Sequence, residues 1–274
     1  MAVTMADITK LRKMTGAGMM DCKNALTEAD GDFDQAMKII REKGQAIAAK
    51  RSDRDASEGC VLVKAVDGFA AIIALKCETD FVAQNADFIK LTQEILDAAV
   101  ANKCQTLDEV KALPLGDVNV AQAVTDRSGI TGEKMELDGY LTLEGASIAT
   151  YNHQSKNFLC TMVALNKAVD AKVGHEVAMQ IAAMAPIAVD EADVPAEVLE
   201  REKEIAIEKA RQEGKAENML ERIAMGRISK FYKEACLLRQ EYIQDAKLTV
   251  ADYLKSFDKE LTVTGFKRFT LRAE

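Results

Sequence analysis

The residues of this sequence that could carry reactivity are spaced against it. The two histidines, His153 and His175, lack metal-ligand spacing with each other or with a cysteine pair. The six cysteines, Cys22, Cys60, Cys77, Cys104, Cys160 and Cys236, are scattered without a C-x-x-C pair. In a chain of this length that pattern fits reduced, buried thiols. A Cys160–His153 nucleophile pair is the one enzymatic arrangement to weigh, against the rule that buried thiols are inert. Gly214-Lys215 has Lys209 where a phosphate loop needs its first glycine. Gly16-Ala17-Gly18 continues as Met19-Met20-Asp21 and follows a helical pattern, so it reads as a tight turn rather than a dinucleotide fingerprint. No catalytic residue, cofactor or metal site is expected.

Two features suit contact with another protein. On a helix starting at residue 19, Met19, Cys22, Ala25, Leu26 and Ala29 share a face and Met20 points away from it. Met20 is then either one stray apolar side chain or a flexible anchor for a partner. The other feature is Glu78-Thr79-Asp80-Phe81-Val82-Ala83, between a buried-strand pattern and a helix. Either Thr79 or Asp80 caps a turn while Phe81 packs inward, or a loop presents a carboxylate beside an aromatic wedge. Both readings stand at this level.

The elements that would position these residues follow from periodicity. Helices are expected over residues 5–14, 19–29 and from Phe33, with Asp32 as N-cap and Gln35 three residues on. Gly44 is expected to stop the third helix, and residues 45–55 to form a connecting helix. Residues 60–66 and 69–77 read as strands joined at Asp67-Gly68, the second buried on both faces. Residues 78–85 read as irregular. The helix over 86–101 has Phe88, Ile89, Leu91, Thr92, Ile95, Leu96 and Ala99 as its buried stripe. A similar unit recurs: Glu144-Gly145 opens a strand to Tyr151, residues 158–165 form its partner, and a helix over 173–185 ends at Pro186. The repeat lacks any counterpart of Thr79-Asp80-Phe81. Residues 107–138 are not placed. Residues 194–212 and 216–240 suggest a helical hairpin with a break at Gly214-Lys215. The tail, residues 246–271, reads as a short helix plus one strand.

Composition narrows the partners. The net charge is -8, and no compact Lys/Arg block offers a phosphate-tracking face, so direct nucleic-acid binding is not expected. Hydrophobic content of 48% against 29% charged residues fits an ordered globular chain. With no Trp and 5% aromatics the core must be aliphatic. The N-terminus has no basic segment followed by an apolar run, and runs such as 69–75 are too short to span a bilayer. A cytoplasmic protein without membrane contact is expected.

Together these segments resemble the elongation factor Ts family. The strongest block runs from Leu11-Arg12 through Thr15-Gly16-Ala17-Gly18-Met19-Met20-Asp21-Cys22-Lys23-Asn24-Ala25-Leu26. The second is Cys77-Glu78-Thr79-Asp80-Phe81-Val82-Ala83-Gln84-Asn85. Weaker echoes are Ile181-Ala182-Ala183 before Pro186, Gly214-Lys215, Gly226-Arg227-Ile228-Ser229-Lys230-Phe231 and Thr249-Val250. The likeness covers nearly the whole chain, from about Ile8 to Phe269.

The resemblance implies an α+β chain with a ubiquitin-associated-like three-helix module and connecting helix (1–55). Two related core subdomains (56–140 and 141–190), an inserted helical hairpin (191–240) and a C-terminal module (241–274) follow. It implies a non-catalytic guanine nucleotide exchange factor of translation elongation, which releases GDP from elongation factor Tu so that GTP can load. By position, Thr79, Asp80, Phe81 and Val82 match the family segment that intrudes beside the partner's magnesium site. Leu11, Met19 and Met20 match N-terminal docking contacts, and Ile243 and Gln244 fall where the C-terminal module touches the partner. A homodimer is compatible with the sequence. There are departures: Phe158-Leu159-Cys160-Thr161-Met162 replaces an Ile-Gly-Val-Leu-type run, Gln180 stands where the family often has His, and the segment between the copies is short. A binding adaptor using residues 1–55 alone and a cysteine-dependent enzyme are the rival classes; neither accounts for Thr79 to Val82.

Overall fold

A computed structural model describes residues 3–272 of the chain. Helices and small antiparallel-type sheets occupy separate stretches, giving an α+β chain that divides into two compact units. The first holds residues 3–64, 71–141 and 270–272; the second holds residues 65–70 and 142–269.

The first unit opens with three helices whose limits follow from local chemistry. α1 (Met5–Thr15) starts at a capping box between Thr4 and Asp7 and ends at Gly16, whose φ of 73° is the left-handed stop. α2 (Met19–Glu28) follows, and α3 (Phe33–Lys50) begins where the Asp32 carboxylate accepts the Gln35 amide. Ile8, Leu11, Cys22, Ala25, Leu26 and Ala36 make their common core. The stop expected at Gly44 does not occur: α3 runs 18 residues through it. The reason is packing. Gly44 is buried against Gly129, and a Cβ built on Gly129 would lie 2.2 Å from the Gly44 Cα. A missing side chain here permits a close helix crossing, whose packing offsets the roughly 1 kcal/mol of helix propensity that an interior glycine loses.

The next elements are β1 (Glu58–Val66) and β2 (Phe69–Cys77), joined at Asp67 and Gly68, which have φ of 48° and 77°. Two consecutive positive φ values are what a tight hairpin turn of the right twist requires. β2 is buried along almost its whole length. α4 (Asp80–Ala83) is a single turn inside the stretch expected to be irregular, and α5 (Ala86–Ala101) begins at the Asn85 cap. Its buried stripe is the expected one with Val100 in place of Ile89, which is half-buried. The unplaced residues contain α6 (Leu107–Ala112), the short pair β3 (Pro114–Leu115) and β4 (Val118–Asn119), and α7 (Val120–Thr131). They also contain the start of β5 (Met135–Glu144), which completes a sheet of order β1-β2-β5. α3 packs along α7, and a cavity of about 180 Å³ lies where Met14, Met37, Ile40, Gly44 and Ile130 meet.

The second unit repeats this plan. β6 (Ser147–Asn152) and β7 (Leu159–Leu165) pair antiparallel from Ser147 opposite Leu165 to Asn152 opposite Cys160. β6 opens later than expected, because Glu144 belongs to β5. α8 (Ala171–Met184) follows. The helical hairpin consists of α9 (Ala196–Gln212) and α10 (Glu217–Ala235), turning at Gly214 with φ of 75°. β8 (Glu241–Tyr242), β9 (Asp245–Thr249) and α11 (Val250–Lys255) lead to β10 (Val263–Thr270). The tail thus holds one more strand than its pattern shows. The sheet order is β10-β7-β6, the same plan as the first: hairpin, helix, and a late strand beside the hairpin's second strand. The core joins Val163, Leu165, Val177, Ile181, Leu237 and Leu254. Tyr242 and Tyr253 stack at 4.2 Å and both donate to the Glu176 carboxylate. Among the described residues no helix is long and apolar enough to cross a membrane.

Candidate functional site

The buried strand β2 ends at Cys77, and the chain beyond it is held from two sides. The Cys77 thiol donates to the Thr79 carbonyl at 3.2 Å. Burial, reinforced by the nearby Glu133 carboxylate, pushes that thiol up to about 12, so it stays a donor. The Glu78 carboxylate accepts from the Lys134 backbone amide at 2.6 Å, from Arg51 at 3.0 and 3.2 Å, and from Arg54 at 3.4 Å. The Lys134 amide is the largest cause holding the Glu78 carboxyl below its ordinary value; it and the two guanidiniums outweigh desolvation.

One residue on, the hydrogen bonds run the other way. The Thr79 amide donates to Glu133 Oε2 at 3.0 Å and its hydroxyl to Glu133 Oε1 at 2.6 Å. The same hydroxyl oxygen accepts the Val82 amide at 3.4 Å and so caps α4. Residues 78–79 and 133–134 therefore form a reciprocal clamp in which each pair supplies a carboxylate and backbone donors to the other.

The turn that the clamp supports projects its side chains outward. α4 buries none of its residues, and Phe81 is 83% exposed. Burying a Phe side chain is worth about 2–3 kcal/mol, so an aromatic left this open on an ordered turn is conspicuous. The inward-packing reading of Phe81 is thereby excluded, while the capping role of Thr79 holds. Asp80 is exposed beside it and Val82 is half-buried. Among the described residues the Asp80 carboxylate has no hydrogen-bond or ion-pair partner.

The helical core places the N-terminal candidates differently from one another. Met20 is 64% exposed at the start of α2. Met19 is half-buried and packs on the core. Leu11 is 0% exposed inside that core, because the Ile8/Leu11 spacing of α1 turns it toward α2. Its side chain cannot make a direct contact in this conformation. Met5 and Met14, which the wheel of α2 could not flag, are also exposed. One element serves both the helical core and the clamp: α3 carries Met37 and Ile40 against the core, and Arg51, just past its end, reaches Glu78.

Ile243 and Gln244 belong to the second unit, where they form the exposed two-residue link between β8 and β9. The Ile243 amide donates to Gln180 Oε1 at 2.9 Å, and Gln180 Nε2 donates to the Glu241 carbonyl at 3.1 Å and to Gln240 Oε1 at 3.2 Å. Gln180 is fully buried. Gln180 is thus the clip that fixes this link.

The Cys160–His153 pair presents no nucleophile. Cys160 is fully buried, and His153 Nδ1 lies 3.1 Å from the Tyr151 hydroxyl. No group of three or more metal-ligating side chains converges among the described residues.

Comparison with known proteins adds an independent line. The family profile described as Elongation factor TS matches residues 78–273. The elongation factor Ts of Bacteroides fragilis is 61% identical over 330 aligned positions, covering all of both chains. That of Porphyromonas gingivalis is 57% identical over 275 positions, again with full coverage of both, and that of Azobacteroides pseudotrichonymphae is 48% identical over 275. An alignment of 330 positions against 274 residues leaves the Bacteroides protein with inserted residues this chain lacks.

Proposed function

The chain belongs to the elongation factor Ts family, and from that premise we propose that it is the guanine nucleotide exchange factor for elongation factor Tu, working without bond chemistry of its own in the cytoplasm. The observation that carries the reading is Phe81, 83% exposed on a turn that is clamped rather than loose.

GDP in a translational GTPase is held by phosphate-loop contacts and by Mg²⁺ bridging phosphate oxygens. A protein that binds the nucleotide-free state more tightly than the GDP state must lower nucleotide affinity by the same factor. In this reading Phe81 enters an apolar gap between partner helices and Asp80 disturbs the groups that hold the Mg²⁺. Thr79 and Val82 shape the turn. Met20 provides docking energy that does not distinguish nucleotide states, with Met19 and Leu11 supporting it from beneath. Ile243 and Gln244 supply a further contact from the C-terminal module. The division into a helical module, paired core subdomains, hairpin and C-terminal module belongs to the same reading.

Release of a fluorescent GDP analogue from elongation factor Tu tests it. The protein should accelerate release strongly at substoichiometric concentration. Phe81→Ala should lower the rate at saturation, and Met20→Ala should mainly raise the half-saturating concentration. If both variants change only half-saturation, the assigned division of labour is wrong.

A further inference from the structure

A four-residue helix cannot hold its own shape, since one turn fixes several dihedral angles for a single hydrogen bond. α4 has little apolar support, because none of its residues is buried and only Val82 and Ala83 are half-buried. The polar contacts that anchor it are the carboxylates of Glu78 and Glu133, beside the Cys77 thiol on the Thr79 carbonyl. Building on the exchange-factor reading, we infer that Glu133 and Glu78 are positioning residues for nucleotide release, acting through the turn that presents Asp80 and Phe81.

Glu133 is itself anchored on both sides of its peptide. Its amide donates to the Thr131 hydroxyl at 3.3 Å, and its carbonyl accepts from the buried Ser128 hydroxyl at 2.5 Å. It follows Gly132, whose φ of 72° ends α7 and redirects the chain into β5. The carboxylate is therefore aimed before any partner arrives, and it takes both Thr79 donors at once. Glu78 completes the frame by accepting the Lys134 amide and the side chains of Arg51 and Arg54. Without this frame the turn would be ordered only on docking, and the entropy of ordering would be subtracted from the step that displaces nucleotide. The second unit provides an internal comparison. There the residues after β7 are tied to those before β10 by Asn166 and Lys167, through the Thr262 backbone and the Asp258 and Glu260 carboxylates. The chain then crosses residues 166–170, partly exposed, into α8 with no helical turn like α4 among them. The tether is common to both copies, and only the first displays a wedge from it.

The experiment uses the full chain and its Glu133→Ala, Glu133→Gln, Phe81→Ala and Phe81→Ala/Glu133→Ala variants. GDP-analogue release is followed over a range of exchange-factor concentrations, with amide hydrogen exchange read on the free proteins. Loss of a charge-assisted pair should lower the saturating release rate of Glu133→Ala by roughly tenfold, with half-saturation little changed. Glu133→Gln keeps one acceptor oxygen and should fall in between, carrying the test if the alanine variant does not stay folded. In the Phe81→Ala background the Glu133→Ala change should add little, because a positioning residue acts through the wedge. The Val82 and Ala83 amides should exchange faster in the free Glu133→Ala protein. An unchanged saturating rate, or an effect of equal size with and without Phe81, overturns the inference. If the wild type fails to accelerate release, the exchange-factor reading falls; unchanged exchange at residues 82–83 would remove the positioning role separately.

Discussion

Phe81 and Glu78 sit three residues apart and are governed by opposite physics. Phe81 is 83% exposed, so truncating it removes little that stabilises the fold. Phe81→Ala should leave denaturant stability within about 0.5 kcal/mol of wild type while reducing the saturating release rate, a combination that thermal melts and release kinetics together can check. Glu78 is held below the ordinary glutamate value, chiefly by the Lys134 amide and then by Arg51 and Arg54 against desolvation. A depressed carboxyl pKa contributes stability that is fully present above the ordinary value of about 4.3. It is lost as pH falls through the folded value. Amide protection in residues 78–83 should therefore persist from neutral pH to about 5 and decline below about 4, ahead of global acid unfolding. Protection that is flat through this window would show that the Glu78 contacts do not hold the turn. The sequence left Phe81 ambiguous for a plain reason: Phe-Val-Ala after a buried strand has the composition of a core segment. What makes it a display is Glu133, 54 residues from its Thr79 donor, and no local pattern announces a contact at that separation.

At the scale of elements, glycine has two uses that composition cannot separate. Gly44 was expected to end a helix, and instead permits α3 to approach α7 at Gly129. Gly129→Ala would place a Cβ 2.2 Å from the Gly44 Cα, with backbone on the far side and no flexible side chain to yield. The helices must separate, and overpacking of this kind costs about 1–3 kcal/mol. Gly226, inside α10, has no atom within 4 Å of a built Cβ. Gly226→Ala should stabilise by about 0.5–1 kcal/mol through helix propensity and reduced unfolded-state freedom. Equilibrium urea unfolding of the two variants should give shifts of opposite sign; shifts of the same sign would refute the packing account. Strong local signals were legible here, including the Asp32 cap, the Asp67-Gly68 turn and most of the stripe of α5. The elements of residues 107–138 were not, because β3 and β4 have two residues each and β5 begins in a charged stretch.

At the scale of the molecule, the hairpin-plus-helix repeat seen in the sequence extends to a third strand in each sheet, β5 and β10. Those strands lie far along the chain from the hairpins they join, so their pairing is set by tertiary contacts rather than by local propensity. The copies share a tether after the central strand, and the first alone inserts α4. In the proposed reading, that short, polar-clamped insertion is what lets a repeated scaffold act on a partner. The most direct measurement is release of a fluorescent GDP analogue from purified elongation factor Tu, with wild type and the Asp80→Ala/Phe81→Ala variant side by side. Strong acceleration by the wild type, lost in a variant that remains folded and still binds, is the expected result. Equal acceleration by both proteins would contradict the assignment of exchange to this turn.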